Sequence, residues 1–190
     1  MFVFVRHGQA EHNIAVQFEG EAAYRNPRYK DAALTVQGRQ QSLATGQYLK
    51  HQIGTFSVCY TSPLSRCMDT ALFLQDALGR LPTYANDALI ECLGGGELCN
   101  MRMPKSKISN YWINVDALPE ESPDPNQPRE SDKSVRERLI PFLQNLLAEH
   151  EGNVLIVSHH DVLRALTGKS LRNAEVLVLS REELLHFLEV

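Results

Sequence analysis

Short apolar runs alternate along this chain with segments of helical periodicity, and this alternation restricts the fold more than any other feature. Strands that alternate with helices pair in parallel, and the helices then cover both faces of the sheet. The sequence therefore predicts an α/β fold in three layers, with a mainly parallel sheet between two layers of helices. Its 190 residues fit a single domain over 1–190. Strands are predicted at 2–5, at 56–62, near Thr83 to Tyr84, at 154–157 and at 175–179.

Local signals place the first helices between these strands. Thr35 suits the N-cap of a helix that runs to about Lys50. In the helix after the second strand, Ser62 can cap, Pro63 suits the first helical position and Gly79 ends the element.

The second half of the chain mixes irregular and helical segments. Residues 91–130 predict loops, with a short helix near Lys105 to Tyr111. Residues 130–150 predict a helix, which the interior Pro141 should kink or bound. Another helix is predicted in DVLRALTG at 161–168. The last ten residues, REELLHFLEV, fit either a terminal helix or a final strand.

Polar residues follow three of the predicted strands at the point where each strand ends. Arg6 and His7 come directly after the first strand. Arg66 lies in the helix after the second strand, from where its side chain reaches back toward the strand end. His159 and His160 follow the strand at about 154–157. Ligands of such sheets bind beyond the carboxyl ends of the strands, so these groups are expected to form one pocket.

Two arginines and two histidines in one pocket suit a phosphoryl dianion. Arginine forks match phosphate oxygens, and a neutral imidazole such as His7 can attack phosphorus. The other imidazole nitrogen then needs an acceptor that fixes the tautomer. Gly8 would let the backbone approach the phosphate closely. The leaving alkoxide needs a proton, which calls for a carboxylic acid opposite the nucleophile.

Five motifs follow one another along the chain: RHG (6–8), LT-x-x-G-x-x-Q (34–41), SPL-x-R-x-x-x-T-A (62–71), L-x-E (89–91) and V-S-H (157–159). In this order they resemble the histidine phosphatase superfamily, to which cofactor-dependent phosphoglycerate mutase belongs. Three further motifs, HN (12–13), ESDKSV-x-x-R (130–138) and L-x-NAEV (171–176), look more narrowly like phosphoglycerate-mutase-like phosphatases of plants and fungi.

The resemblance implies a role for each matching residue. His7 would be the nucleophile that becomes a phosphohistidine, and Glu91 would be the general acid and later the base that activates water. The residues that would hold the phosphoryl group are Arg6, Arg66, His159 and Asn13. Neither a metal nor a cofactor is implied.

Two positions depart from the superfamily pattern. His160 stands where the superfamily usually has glycine, and it adds strain if the backbone there has a positive φ, or a donor at the mouth if it has not. Glu97 offers a second carboxylate and competes with Glu91 for the role of acid. His12 fits equally a place at the mouth and a solvated surface. The basic run at 101–107 and the residues around Tyr24 fit either solvated loops or contacts to an anionic substrate.

Phosphatase is the favoured activity, because the chain is short between Glu91 and the helix at about 131, where the mutases carry extra segments that close the site. A phosphoglycerate-type mutase is the alternative within the superfamily. A phosphate-binding regulatory module without turnover is the alternative outside it. A metal site built from His7, His12, His159 and His160 is disfavoured, because two arginines would repel the cation.

The composition and charge of the chain limit which binding partners are expected. A net charge of −4 gives nucleic-acid binding no support, and no run of about 18 apolar residues predicts a membrane span. The N-terminus lacks the features of a signal peptide, so a cytoplasmic protein is expected. The four cysteines form no C-x-x-C pair, which disfavours a zinc framework, and Cys59 fits simple burial. The expected partner is a small phosphorylated substrate, with a phosphoprotein as the alternative, and the sequence leaves monomer and homodimer open.

Overall fold

The computed structural model describes residues 1–108 and 112–189 and shows strands alternating with helices. The strands are β1 (Phe2–Arg6), β2 (Val58–Thr61), β3 (Thr83–Ala85), β4 (Val154–Ser158) and β5 (Val176–Leu179). The helices are α1 (Glu11–Glu19), α2 (Ala22–Arg25), α3 (Val36–Gln52), α4 (Ser65–Leu78), α5 (Lys105–Ile108), α6 (Asp132–Glu149), α7 (His160–Thr167) and α8 (Arg181–Glu189). Single 3₁₀ turns lie at Pro27–Tyr29, Asp87–Leu89 and Leu98–Asn100.

Within the described residues the strands form one sheet in the order β3-β2-β4-β1-β5. The first four pair in parallel, and β5 runs antiparallel to β1 at the edge. The predicted mainly parallel sheet is confirmed. Because β2, β4 and β1 are neighbours and run in one direction, their carboxyl ends lie side by side, which is where the predicted site residues follow.

Helices cover both faces of the sheet, which confirms the three predicted layers. Alternate strand residues point to opposite faces, so each buried strand supplies two cores. One core joins the strands to α6, α7 and α8, and its members include Phe2, Phe4, Ile156, Leu139, Leu143, Leu166 and Leu184. The other joins them to α3 and α4, and its members include Val3, Val5, Leu155, Val157, Leu49, Ala71 and Leu74.

The predicted helix ends are partly confirmed. The Thr35 hydroxyl accepts a hydrogen bond from the amide of Gly38 at 3.0 Å, as an N-cap does, and Gly79 ends α4. The prediction for the start of α4 is wrong, because this helix begins at Ser65 after an extended Leu64. Ser62 instead places its hydroxyl 2.7 Å from Nε2 of His159.

The later elements also refine the sequence prediction. Helix α6 continues through Pro141, which therefore does not bound it, and its N-cap is Ser131. The C-terminal segment is the helix α8 rather than a strand. The short helix predicted near Lys105 is present as α5, and residues 109–111 of that prediction lie outside the described part of the chain.

The four cysteines are buried and unbridged, as the sequence indicated for Cys59. Burial raises the pKa of Cys59 and of Cys92 to about 12, so both thiols stay protonated at neutral pH. Across residues 1–108 and 112–189, no helix combines the length and the apolar character needed to cross a membrane.

Candidate active site

A cavity of about 130 Å³ lies at the carboxyl edge of β1, β2 and β4. The structure thus brings together residues that are far apart in sequence. Six predicted site residues line it: Arg6, His7, Asn13, Arg66, Glu91 and His160. Seven more residues complete the lining: His12, Tyr24, Glu97, Cys99, Asn100, Arg129 and Asp161.

His7 is almost fully buried, with 1% of its surface exposed. Its Nδ1 lies 2.7 Å from the carbonyl oxygen of Gly8. Because a carbonyl only accepts, Nδ1 carries the proton and Nε2 keeps a free lone pair. Burial lowers the pKa of His7 well below its ordinary value, and the charges of Arg66 and Arg6 lower it further. His7 is therefore a neutral imidazole with one defined tautomer.

The two arginines are held by hydrogen bonds to the protein. Arg66 donates through Nη1 to the carbonyl of Cys99 at 2.7 Å and through Nη2 to Asn100 Oδ1 at 2.8 Å. Arg6 donates through Nη1 to the carbonyl of Leu171 at 2.7 Å. These acceptors are uncharged, so both guanidinium groups keep their positive charge available to a ligand.

Buried donors without partners concentrate in this cavity. In the described part of the chain, the buried side-chain atoms without a hydrogen-bond partner are Arg6 Nε, His12 Nδ1, Arg66 Nε, His160 Nδ1 and Ser122 Oγ. Four of these five belong to residues that line the cavity. Because buried polar groups in native proteins are almost always paired, such a cluster indicates a site for a ligand that accepts hydrogen bonds.

His12 is buried in the cavity wall, which decides between the two places that the sequence left open for it. Asn13 donates through Nδ2 to Nε2 of His12 at 3.1 Å, while its Oδ1 accepts from the amide of Ala10 at 2.9 Å. Nε2 of His12 is thus an acceptor, and the proton sits on the unpartnered Nδ1. Burial, Arg66 and Arg6 lower the pKa of His12 to about 2. His12 is a neutral donor, and the adjacent His-Asn pair was the sequence signal for it.

Gly8 has a different place from the one expected. Its amide donates to the hydroxyl of Thr70 at 3.0 Å, so it is already engaged. A Cβ at this position would lie 2.4 Å from the carbonyl oxygen of Gly38 and 2.7 Å from Ser42 Oγ. Gly8 is therefore required for close packing of the strand end on α3, and only its carbonyl serves His7.

His159 also has a different place from the one expected, since it is not among the described residues that line the cavity. It is completely buried, and its ring packs edge-on against His7 with centroids 5.1 Å apart. Its Nε2 lies 2.7 Å from Ser62 Oγ, and burial holds its pKa well below the ordinary value. In this structure His159 supports the ring of His7.

The three carboxylates of the cavity have different surroundings. Glu91 reaches the cavity surface and accepts a hydrogen bond from the amide of Cys92 at 2.9 Å. Burial raises the pKa of Glu91, and the nearby Asp161 raises it further. Glu97 instead accepts from Arg129 Nε at 3.0 Å, and Asp161 accepts from Arg129 Nη2 at 2.8 Å. The surroundings of Glu91 thus favour its protonated form, which a general acid needs.

The backbone at His160 is unstrained. His160 is the first residue of α7, and the described non-glycine residues with positive φ are Asp31 and Ala174. The structure thus excludes the strained backbone as the result of this departure from the superfamily pattern, and it places His160 in the lining of the cavity. Burial and Arg6 lower the pKa of His160, which favours the neutral ring.

The structure places the two segments that fit either solvated loops or contacts to an anionic substrate. Tyr24 lines the cavity, while Arg25 donates to the carbonyl of Gly95 and Arg28 stacks on Tyr29. In the basic run, Arg102 is fully buried and forms an ion pair with Asp87 at 2.9 Å. It therefore stabilises the loop. Arg129 was missed by the sequence analysis.

The fold and the site define an α/β protein with a pocket for an oxyanion at the carboxyl edge of its sheet. The family model of the histidine phosphatase superfamily (branch 1) matches residues 2–180, and the chain belongs to this superfamily. In the described residues, no group of three or more His, Cys, Asp or Glu side chains is arranged to hold a metal ion.

The relatives found by sequence and by structure include proteins named as a phosphoglycerate mutase and proteins named as phosphatases. The chain is 32% identical over 171 residues to the 2,3-bisphosphoglycerate-dependent phosphoglycerate mutase of Brucella canis, covering 86% of this chain and 78% of the relative. The mycobacterial glucosyl-3-phosphoglycerate phosphatase has a similar fold, with a TM-score of 0.62, 22% identity and coverage of 92% and 87%. Phosphoserine phosphatase of Entamoeba histolytica also has a similar fold, with a TM-score of 0.60, 21% identity and coverage of 92% of this chain and 87% of that one.

Proposed function

We propose that this protein hydrolyses phosphomonoesters without a metal ion, through a phosphohistidine intermediate on His7. The observation that carries the proposal is the neutral His7, whose Nδ1 is fixed on the Gly8 carbonyl in a cavity rich in unpartnered donors. A neutral imidazole with a free Nε2 is a nucleophile, and the donors suit the charge of a transferring phosphoryl group.

In the first step, Nε2 of His7 attacks phosphorus and the ester P–O bond breaks. The electron pair of that bond goes to the leaving oxygen, which takes the proton of Glu91. Charge spreads over the equatorial oxygens in the transition state, where Arg6, Arg66 and His12 donate hydrogen bonds. The products are a phosphohistidine, a free alcohol and the carboxylate of Glu91.

In the second step, the Glu91 carboxylate takes a proton from water, and the water oxygen attacks phosphorus. The N–P bond breaks and its electron pair returns to Nε2 of His7. Inorganic phosphate leaves, and Glu91 is again protonated. Among the lining residues Arg129 is the exposed one, so the lining meets solvent at this residue.

Glu91 is preferred to Glu97 as the acid on electrostatic grounds. Glu97 accepts from Arg129 Nε at 3.0 Å through one oxygen and from Asn100 Nδ2 at 2.9 Å through the other, so both of its oxygens are already engaged. Glu91 has a raised pKa and, within the described residues, no ion pair of its own. Its surroundings therefore favour the protonated form that a general acid needs.

The remaining predicted site residues assist His7 and Glu91. Asn13 orients His12 through Nδ2 and also lines the cavity, while the Gly8 carbonyl sets the tautomer of His7. His159 supports the His7 ring, and His160 supplies a neutral donor at the mouth.

The class of substrate, the extent of the domain and the location in the cell also belong to the proposal. The substrate is a small phosphomonoester, and the domain spans 1–190 as one unit, of which the family model covers 2–180. Cytoplasmic location remains an expectation from the sequence. Mutase activity is the second candidate, because the relatives that share 32% identity bear that name.

The test measures phosphate released from p-nitrophenyl phosphate with chelator present. Wild type should turn over, and His7→Ala should not, while a matched control at the exposed His51 on α3 should behave as wild type. Rapid quenching of wild type should trap an acid-labile phosphohistidine that His7→Ala lacks. Full activity of His7→Ala, or activity that chelator removes, would contradict the proposal, and binding of phosphate without turnover would favour a regulatory module.

A further inference from the structure

The mouth of the cavity carries an alternating chain of ion pairs. Arg129 bridges Glu97 and Asp161, with distances of 3.0 and 2.8 Å. Arg164 contacts Asp161 at 3.4 Å and donates through both terminal nitrogens to Asp132, at 3.1 and 3.0 Å. The chain begins and ends with a carboxylate, so it holds one more negative charge than positive charges.

The cations deeper in the cavity do not offset this excess. A phosphoryl dianion matches the two charges of Arg6 and Arg66, which have uncharged protein partners. Among the described lining residues the third arginine is Arg129, and its guanidinium is already shared by two carboxylates. With the phosphoryl group bound, the mouth is therefore negative where the alcohol part of a substrate would lie.

We propose that the site takes phosphomonoesters whose alcohol part carries no second negative charge, and that it discriminates against glycerate phosphates. The inference rests on the proposed function, since the phosphoryl group must occupy the inner cavity. A carboxylate on the alcohol part of the substrate would lie beside the excess negative charge at the mouth. The repulsion between these negative charges at short range weakens substrate binding by about tenfold or more. This preference would distinguish the chain from relatives whose name specifies a bisphosphoglycerate.

The test is calorimetric titration of His7→Ala protein with sn-glycerol 3-phosphate and with 3-phosphoglycerate, which differ in one hydroxymethyl or carboxylate group. Glycerol 3-phosphate should bind at least about tenfold more tightly. Equal or tighter binding of 3-phosphoglycerate would overturn the proposal, and so would failure of glycerol 3-phosphate to bind. Because no turnover is needed, the result is separate from the hydrolysis test, which alone decides the proposed function.

Two variants link the preference to the ion-pair chain. Glu97→Gln removes the carboxylate at one end of the ion-pair chain. It should reduce the preference in affinity for glycerol 3-phosphate over 3-phosphoglycerate several-fold. Asp132→Asn removes the other, which is 56% exposed and outside the lining, so a smaller change in the same direction is expected even if Glu97→Gln folds poorly. Glu151→Gln is the matched control, since it removes the same charge from an exposed side chain that precedes β4, at the end of the strand opposite to the cavity. A ratio that moves in this control and not in the Glu97 and Asp132 variants would refute the assignment.

Discussion

Asn13 donates its side-chain amide to Nε2 of the adjacent His12 across 3.1 Å, and this bond decides which nitrogen of His12 carries the proton. The proton lies on Nδ1, which is buried and has no partner among the residues that the structure describes. A neutral ring with a fixed donor can bind a phosphoryl oxygen without adding charge, which the two arginines already supply.

Substitutions at His12 test this donor. His12→Asn places an amide nitrogen near the position of Nδ1 and should keep kcat/KM for p-nitrophenyl phosphate within a few-fold. His12→Gln places its amide nearer to Nε2 and should lose about tenfold, as expected for one hydrogen bond, together with weaker inhibition by inorganic phosphate. Equal losses in both variants would show that the ring acts only by packing.

The general acid is tested by the dependence on the leaving group. Glu91→Gln should slow hydrolysis of an alkyl phosphate by about 10²–10⁴-fold, because the alkoxide then leaves without a proton. The loss for p-nitrophenyl phosphate should be much smaller, since its phenolate leaves readily. Glu97→Gln should slow both substrates to a similar and small extent. A leaving-group dependence that follows Glu97 would transfer the acid role to that residue.

Buried neutral histidines predict acid sensitivity of the fold. The folded-state pKa values of His7, His12 and His159 lie below 6.5, so the unfolded chain binds more protons as pH falls below 6.5. The free energy of unfolding should then decrease as the pH is lowered, by at most ~1.4 kcal/mol per pH unit for each histidine. Glu91 and Asp31, whose pKa values are raised by burial, act in the opposite direction.

Urea unfolding at pH 7 and at pH 5.5 measures this slope. His12→Asn removes one of the titrating rings and should reduce the slope. Stability that stays constant over this interval would show that these rings titrate normally in the folded state.

Gly8 should tolerate no side chain. Gly8→Ala would push a methyl group against the Gly38 carbonyl, and overpacking of this kind costs ~1–3 kcal/mol. Activity should fall as well, because His7 depends on the Gly8 carbonyl. Gly152→Ala is the control, since its nearest neighbour is a surface side-chain oxygen, of Ser57, at 3.1 Å. Thermal unfolding compares the two, and equal stability would contradict the packing argument.

Much of the architecture could be predicted because it depends on local pattern. Apolar runs that are buried on both faces indicated the parallel strands, and the polar residues after β1, β2 and β4 marked the edge where the cavity lies. The start of α4 was mispredicted because Ser62 has a good cap sequence but uses its hydroxyl for His159, 97 residues away. Local propensity does not register such a long-range contact.

The sequence by itself determined the sheet, its carboxyl edge and the residue types gathered there, since period and order are properties of the chain. Only the tertiary structure decided the electrostatic state of those groups. Arg129 lies 32 residues from both Glu97 and Asp161, and no local signal connects them. The same holds for the burial that lowers the pKa of His7 and raises the pKa of Glu91. Desolvation and long-range pairing depend on the whole packed molecule, and these forces set the chemistry of the site.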